Sequence, residues 1–196
     1  MAKSIHGLLT HWDFEAWYYL NTQWHNAFFD SFIPYLREPW FWSPLYLFLL
    51  VFMPYKFGKK GWIWCLLFLV SFILSDQISA HLMKPYFARL RPCHNVHLAH
   101  LIHLLVPCGG MYGFPSSHAA NHFSIGIFSA ATLSNKVKGI WIIAILWAAL
   151  VAYAQVYVGV HYPLDITVGA LLGAITGLIT GKVFNRYFSF SVVSAI

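Results

Sequence analysis

Residues 139–165 read GIWIIAILWAALVAYAQVYVGVHYPLD, a long apolar run that ends in a histidine followed four residues later by an aspartate. A helix needs about 20 apolar residues to cross a bilayer, and the run over 139–160 has that length. The whole chain is similar in character, with 59% hydrophobic and 9% charged residues among 196. So much apolar surface exceeds what one water-soluble core can bury, so the sequence predicts an integral membrane protein.

The hydrophobic pattern predicts an all-α fold, a helical bundle with five transmembrane helices in a single domain over residues 1–196. The predicted spans are 40–55, 61–83, 117–133, 139–160 and 163–183. The earlier segment 9–36 is aromatic but carries Asp13, Glu15, His25 and Asp30, so it predicts an interfacial amphipathic helix, with a sixth, tilted span as the alternative. The N-terminus has no uninterrupted apolar stretch and no cleavage site, so we do not expect a removable signal peptide.

Basic residues indicate the orientation of this bundle. With five spans, the two short loops at 56–60 and 134–138 and the C-terminus lie on one side. That side holds basic residues without acidic ones, namely Lys56, Lys59, Lys60, Lys136, Lys138, Lys182 and Arg186. The positive-inside rule makes this side cytoplasmic and places the 84–116 loop and the 161–162 turn outside. Because the basic residues collect on one side, the net charge of +6 predicts membrane lipids as partners rather than nucleic acid. The same distribution predicts a multi-pass protein of a bacterial inner membrane, with the 84–116 loop and the 161–162 turn facing the periplasm.

Three short motifs meet at this predicted outer face: KPYFARLRP over 84–92, PSSH over 115–118, and QVYVGVHYPLD over 155–165. Lys84 supplies a point charge, and Arg91 supplies a forked donor that matches phosphate oxygens. For Arg89, between them, we expect only an attachment of the helix end to anionic headgroups.

The other two motifs add two histidines and a helix start. Ser116, Ser117 and His118 begin a predicted helix, whose free N–H groups and dipole favour an anion. His161 and Asp165 lie one helical turn apart, so the carboxylate can orient the imidazole. An oriented imidazole is a nucleophile toward phosphorus, and a second histidine can protonate the leaving oxygen. The motifs together predict phosphoryl transfer.

These motifs resemble those of the type 2 phosphatidic acid phosphatase (PAP2) superfamily, whose pattern is KX6RP, then PSGH, then SRX5HX3D. The resemblance implies that His118 is the general acid and that His161 forms a phosphohistidine oriented by Asp165. It implies no metal and no other cofactor. The phosphate-binding positions would be Lys84, Arg91, Ser116, Ser117 and Gln155.

The chain departs from that pattern at two places. Ser117 replaces the glycine of PSGH, which is a mild change. Ala154 and Gln155 replace the Ser-Arg pair, which removes a cation from the groups that would stabilise the transition state. We therefore expect either slower turnover or another cation in its place. Arg89 and His122 are the candidates, and a structural role is the alternative for His122.

The outer loop contains two cysteines and a run of histidines. Cys93 and Cys108 predict a disulfide on the oxidising side of the membrane, with free thiols as the alternative, whereas Cys65 is expected to be reduced inside a helix. Histidines recur at 94, 97, 100 and 103. We interpret them as the polar side of an interfacial segment rather than as metal ligands, because no cysteine or carboxylate cluster completes a ligand set.

Two further features concern helix packing. Asp76 falls inside the second span, where an ionisable group needs a partner, and we interpret it as a hydrogen-bonding centre, with proton relay as the alternative. Glycines recur every fourth residue in the last span, at 169, 173, 177 and 181. This spacing predicts close helix packing.

The function predicted from these residues is hydrolysis of a lipid phosphate monoester or diphosphate. Undecaprenyl diphosphate, phosphatidic acid, phosphatidylglycerophosphate and lipid A phosphate are the candidate substrates, and we favour the polyprenyl diphosphate. A non-catalytic lipid-phosphate binder or transporter that kept the pocket is the alternative. The oligomeric state cannot be derived from these patterns.

Overall fold

The computed structural model describes residues 11–190, and over this range the chain is helical apart from loops and one isolated antiparallel bridge between Leu90 and Tyr112. The helices are α1 (residues 11–23, ending in a π-helical turn over Tyr19–Gln23), α2 (Ala27–Leu36), α3 (Pro39–Phe57), α4 (Lys59–Phe87, with a π-helical segment Ile78–Met83), α5 (Ser117–Leu133), α6 (Ile140–Tyr157) and α7 (Pro163–Tyr187). Two 3₁₀ turns, Pro92–His94 and Val96–Leu98, lie in the long loop between α4 and α5.

Among the described residues, the three helices α4, α6 and α7 are long and apolar enough to cross a membrane. Their outer faces carry large exposed apolar side chains, such as Leu171, Ile175 and Ile179 of α7, which need a lipid solvent. The protein is therefore an all-helical membrane protein. Helix α4 extends past the predicted end at residue 83, so Lys84 lies on its last turn rather than at the start of a loop.

Helix α5 is the centre of the bundle, and α7 packs directly on it. A Cβ atom added at Gly173 would lie 2.2 Å from the carbonyl oxygen of Ala120, and Gly169 and Gly177 approach the α5 backbone just as closely. Gly181 continues the same row with a looser contact. Only glycine permits this backbone approach, so the prediction of close packing from the four-residue spacing is confirmed.

Asp76 takes part in a hydrogen-bonded cluster between α4 and α5, as predicted, although Asn121 rather than Asp76 is the residue that connects the cluster. Oδ1 of Asp76 accepts a hydrogen bond of 2.9 Å from Nδ2 of Asn121. The side-chain oxygen Oδ1 of Asn121 in turn accepts a hydrogen bond of 2.7 Å from the Ser75 hydroxyl. One turn on, the Ser79 hydroxyl donates to Ser117 at 2.9 Å. These buried bonds fix the start of α5 relative to the end of α4, which carries Lys84.

The N-terminal segment differs from the single amphipathic helix predicted over 9–36. Within the described residues it forms two helices, α1 and α2, and residues 9 and 10 lie outside those described. The side chains of Trp17 and Asn21 are fully buried. Asn21 donates to the backbone carbonyls of His103 and Tyr157 at 2.9 and 2.8 Å. The segment therefore packs on the outer loop and on α6, because its polar side chains satisfy backbone groups there.

Candidate active site

The first turn of α7 holds His161 and Asp165 in one rigid arrangement. Pro163 is well suited to this turn because its ring fixes a helical φ and its missing N–H is not needed there. Oδ2 of Asp165 accepts a 3.0 Å hydrogen bond from the Tyr162 backbone N–H and lies 3.2 Å from Nδ1 of His161. Both side chains are almost completely buried. With Nδ1 occupied by the carboxylate, Nε2 is the nitrogen of His161 left for chemistry.

Arg89 holds the other oxygen of the same carboxylate. Its guanidinium donates to Oδ1 of Asp165 at 2.7 Å and, through its second terminal nitrogen, to Asp13. Asp13 in turn accepts from the Leu164 backbone N–H at 2.6 Å. The expectation that Arg89 attaches a helix end to lipid headgroups is therefore wrong, because two carboxylates already bind it. Asp13 was not identified from the sequence, where it is one of several ionisable residues in an aromatic segment.

Arg91 is positioned by a short hairpin-like contact within the outer loop. Its backbone N–H donates to the Met111 carbonyl at 3.2 Å, and its Nε donates to the Tyr112 carbonyl at 3.3 Å. Gly113, which follows Tyr112, lies close to Arg91 on one side and to the His161–Asp165 pair on the other. A Cβ atom there would lie 3.1 Å from Cγ of Arg91, 3.0 Å from Oδ2 of Asp165 and 3.4 Å from Nδ1 of His161. Arg91 and the His161–Asp165 pair therefore meet at Gly113, a residue that sequence reasoning missed.

The electrostatic surroundings keep His161 neutral. Burial lowers the pKa of its imidazole to about 4, although the hydrogen bond and charge of Asp165 act in the opposite direction. The positive charges of Arg91 and Lys84 lower this pKa further, which means that both cations lie near the ring. At neutral pH the imidazole therefore keeps a free lone pair next to two cations.

The start of α5 joins this cluster. The Ser116 backbone N–H donates to the Asp165 carbonyl at 2.9 Å, which ties the PSSH motif to α7. The Ser116 hydroxyl caps α5 by accepting from the Ala119 N–H at 3.5 Å. His118 follows on the first turn, close enough to His161 for the two rings to interact electrostatically. The structure thus brings together residues from all three motifs.

Gln155 lies nearby but makes few contacts. Its side chain is fully buried, Nε2 approaches the Val151 carbonyl of its own helix at 3.5 Å, and Oε1 has no hydrogen-bond partner among the described residues. Neither expected substitute for the motif arginine is available. Arg89 is bound by two carboxylates. His122 lines the cavity beside His118, but its Nδ1 pairs with the His118 carbonyl at 2.9 Å and its Nε2 lies 3.4 Å from the Tyr46 hydroxyl.

An apolar cavity of about 480 Å³ opens beside His118. Its polar lining comes from Asp76, Ser117, His118, Asn121 and His122. The remaining wall is largely aromatic or aliphatic, from Pro39, Tyr46, Phe68, Leu69, Phe72 and Ile125. A cavity that combines such a wall with two residues of the PSSH motif suits a ligand with a polar head and a hydrocarbon tail.

The outer loop is closed by a disulfide between Cys93 and Cys108, whose Cα atoms are 5.9 Å apart, while Cys65 is free. Of the loop histidines, His103 lies with His25 and Asp30 in a group of potential metal ligands. One ligand atom of each residue lies within 4.8 Å of the others. The two imidazoles stack with their centroids 4.0 Å apart, and Nε2 of His103 lies 3.1 Å from Oδ1 of Asp30. The absence of a metal stays a prediction.

The chain is similar to a family model and to known proteins. The PAP2 superfamily model matches residues 62–189. The chain is 33% identical over 144 residues to a lipid A 4'-phosphatase of Porphyromonas gingivalis, covering 71% of this chain and 59% of that protein. It is 35% identical over 135 residues to an undecaprenyl-diphosphatase of Sulfolobus acidocaldarius, covering 69% and 59%. The chain thus spans about three fifths of the length of these two curated relatives.

Two solved structures share the architecture. LpxE of Aquifex aeolicus aligns with a TM-score of 0.61 at 31% identity, covering 84% of this chain and 92% of that one. A PAP2-type phosphatidylglycerolphosphate phosphatase of Bacillus subtilis aligns with a TM-score of 0.73 at 22% identity, covering 97% and 93%, and shows the fold alone. Because the family model matches well over half of its residues, the chain belongs to the PAP2 superfamily.

Proposed function

We propose that this protein is a membrane enzyme that removes phosphate from a lipid phosphate or diphosphate through a phosphohistidine at His161. The observation that carries the proposal is the buried His161–Asp165 pair with Lys84 and Arg91 beside it. A neutral imidazole fixed through Nδ1 presents Nε2 as a nucleophile, and two adjacent cations favour a phosphoryl group in front of it.

In the first step, Nε2 of His161 attacks phosphorus, and the bond from phosphorus to the leaving oxygen breaks. The leaving oxygen takes a proton from His118, so the dephosphorylated lipid departs neutral, or as a lipid monophosphate when the substrate is a diphosphate. The positive charge that develops on the His161 ring is stabilised by Asp165, whose carboxylate is itself held by Arg89.

In the second step, water attacks phosphorus while the now neutral His118 accepts its proton. The phosphorus–nitrogen bond breaks, inorganic phosphate leaves, and both histidines return to their starting states. Lys84, Arg91 and the Ser117 region of the α5 N-terminus bind the phosphate oxygens in this scheme. The Gln155 amide adds a weaker, neutral donor when it turns from the Val151 carbonyl toward the phosphate. Ser116 contributes indirectly, since its hydroxyl caps α5.

The cavity beside His118 supports a lipid as the substrate, because its mainly apolar wall suits a hydrocarbon chain. Relatives named for lipid A phosphate and for undecaprenyl diphosphate make these two the first substrates to test. The polyprenyl diphosphate, favoured by the sequence analysis, and lipid A 4'-phosphate should be compared directly, with phosphatidic acid and phosphatidylglycerophosphate beside them.

We further propose that the chain crosses a bacterial inner membrane five times with the site at the periplasmic face. Helices α3 and α5 would join α4, α6 and α7 as spans. The basic loops at 56–60 and 134–138 support this orientation, because they then share the cytoplasmic side with the last turn of α7. Cysteine labelling at Lys136→Cys and at Val96→Cys in intact cells would test it, since an impermeant reagent should reach only the second.

The function is tested by phosphate release from this lipid panel in detergent, for the wild type and for His161→Ala. We expect release from at least one lipid and its loss in the variant. No release from any lipid by the wild type, with the lipids still bound, would instead favour the non-catalytic binder.

A further inference from the structure

The phosphate site has a gap where the family pattern places an arginine. Gln155 occupies that position, and its amide is directed at the Val151 carbonyl of its own helix. A neutral amide is a weaker partner for phosphate than a guanidinium, because charge-assisted hydrogen bonds are about twice as strong. Since Arg89 is bound by two carboxylates and both ring nitrogens of His122 have partners, another cation is needed to complete the site.

Arg37, which follows the last residue of α2, is the candidate for this cation. The preceding Leu36 packs in one buried cluster with Ala154, the immediate neighbour of Gln155, and with Val158 and Val160. Two residues after Arg37, Pro39 lines the same cavity as Ser117 and His118. The corner between α2 and α3, which carries Arg37, therefore adjoins both the helix segment that carries Gln155 and the start of α5.

The Arg37 side chain has few partners for its charge. It is only 14% exposed, and its buried Nε has no hydrogen-bond partner among the described residues. Its ion pair is a 3.7 Å contact with the adjacent Glu38, whose own side chain is 37% exposed. A buried guanidinium with so little compensation is unfavourable, and a bound anion would remove that cost.

The charge of Arg37 also acts on the phosphate site itself. After burial, it is the main influence that lowers the pKa of Arg91. The same charge acts electrostatically on His118. Arg37 and Arg91 are thus like charges that repel each other, and an anion bound by both would make this arrangement favourable.

We propose that Arg37 binds a phosphate oxygen of the substrate and takes the place of the arginine that Gln155 replaces. This inference rests on the proposed function of the site and adds a residue to it from outside the three motifs. The cation is thereby supplied by the N-terminal part of the chain, so α2 and its corner with α3 become part of substrate binding.

The test compares Arg37→Gln with Glu38→Gln, which removes the ion partner of Arg37 but leaves its charge. Binding of orthovanadate, a mimic of the transferring phosphoryl group, is measured beside lipid phosphate hydrolysis and thermal unfolding without ligand. We expect Arg37→Gln to bind vanadate about 10- to 100-fold more weakly, as for a lost hydrogen bond to a charged group. We expect kcat/KM to fall about 100-fold or more. Glu38→Gln should match the wild type in both measurements.

Unfolding separates binding from a structural role. Because Arg37 is poorly compensated, Arg37→Gln without ligand should be at least as stable as the wild type, whereas a structural arginine would lower the midpoint. Adding Gln155→Arg to Arg37→Gln should restore vanadate binding, since it returns a cation to the same place.

Unchanged vanadate affinity in Arg37→Gln would overturn the inference, as would equal weakening in Glu38→Gln. These results are distinct from failure of the proposed function. A wild type that binds vanadate through Arg37 but hydrolyses no lipid would support the role of Arg37 and contradict the enzyme.

Discussion

Arg89 donates to Oδ1 of Asp165 at 2.7 Å, while the other oxygen of that carboxylate lies against His161. Arg89 thereby fixes the carboxylate that fixes the imidazole. Its second arm binds Asp13, which attaches the N-terminal helix α1 to the same cluster. The orientation of the His161 imidazole therefore depends on Asp13 and Asp165, which lie 76 positions before and 76 positions after Arg89 in the sequence.

Replacing Arg89 with Met should reduce both stability and activity. Asp13 and Asp165 are nearly fully buried, so removing their shared cation leaves two uncompensated carboxylates. We expect a loss of about 3 kcal/mol in the free energy of unfolding, the low end for a broken buried ion pair because Arg89 is partly exposed. Arg186→Met, at the far end of α7, is the control and should leave the thermal midpoint in detergent unchanged.

Gly113→Ala should impair activity without a comparable effect on folding. The added methyl group would lie 3.0 Å from Oδ2 of Asp165 and 3.1 Å from Cγ of Arg91. Contacts this short would push the Asp165 and Arg91 side chains apart. A displacement of this kind should lower kcat/KM about 10- to 100-fold. Gly110→Ala is the matched control, because a Cβ there has no neighbour within 4 Å. Equal activity of the two variants would show that the contact at Gly113 is unimportant.

The pH dependence should reflect the low pKa of His161. Burial lowers this pKa to about 4 in the folded protein, so the imidazole stays unprotonated well below its ordinary value of 6.5. The nucleophile is lost only as the pH falls through the folded pKa, and the acid limb of kcat/KM should therefore lie near 4. An acid limb near 6.5 that Asp165→Asn leaves in place would contradict this assignment.

The lowered pKa of His161 should also make the free energy of unfolding depend on pH. The unfolded chain binds a proton on His161 more readily than the folded chain does. The contribution of His161 to the free energy of unfolding is therefore fully present above pH 6.5 and decreases as the pH falls toward 4. Unfolding midpoints measured across this range should fall less steeply for His161→Gln than for the wild type.

Loss of the disulfide should weaken the outer loop. Cys93 and Cys108 are separated by 15 positions, and closing a loop of this length contributes about 3 kcal/mol in the chain-entropy model. The double variant Cys93→Ser with Cys108→Ser should lose stability by about that amount, and reductant should have the same effect on the wild type. Cys65→Ser should remain sensitive to reductant, which serves as the control.

The sequence predicted those features that depend on local chemistry. The glycine row of α7, Pro163 in its first turn and the Ser116 cap all follow from short-range rules of helix structure. Asp13 and Arg37 could not be identified this way. Each stands outside the three motifs, and its role depends on how α1 and α2 fold back onto residues far along the chain.

The misinterpretation of Arg89 has the same origin. A basic residue near the end of a spanning helix is typical of headgroup contact, and nothing local distinguishes it from one that binds two carboxylates. Gly113 likewise carries no signal in a loop that contains other glycines. Its importance depends on the tertiary approach of Arg91 to Asp165.

The central claim is that phosphate passes through His161, and trapping the phosphoenzyme tests it most directly. The wild type and His161→Ala are mixed with a hydrolysed lipid phosphate, quenched rapidly in alkali and digested for mass spectrometry. We predict phosphate on His161 in the wild type, stable in alkali and released by acid, and no label in the variant. Turnover by His161→Ala at the wild-type rate, or a phosphate group on a different residue, would contradict the account.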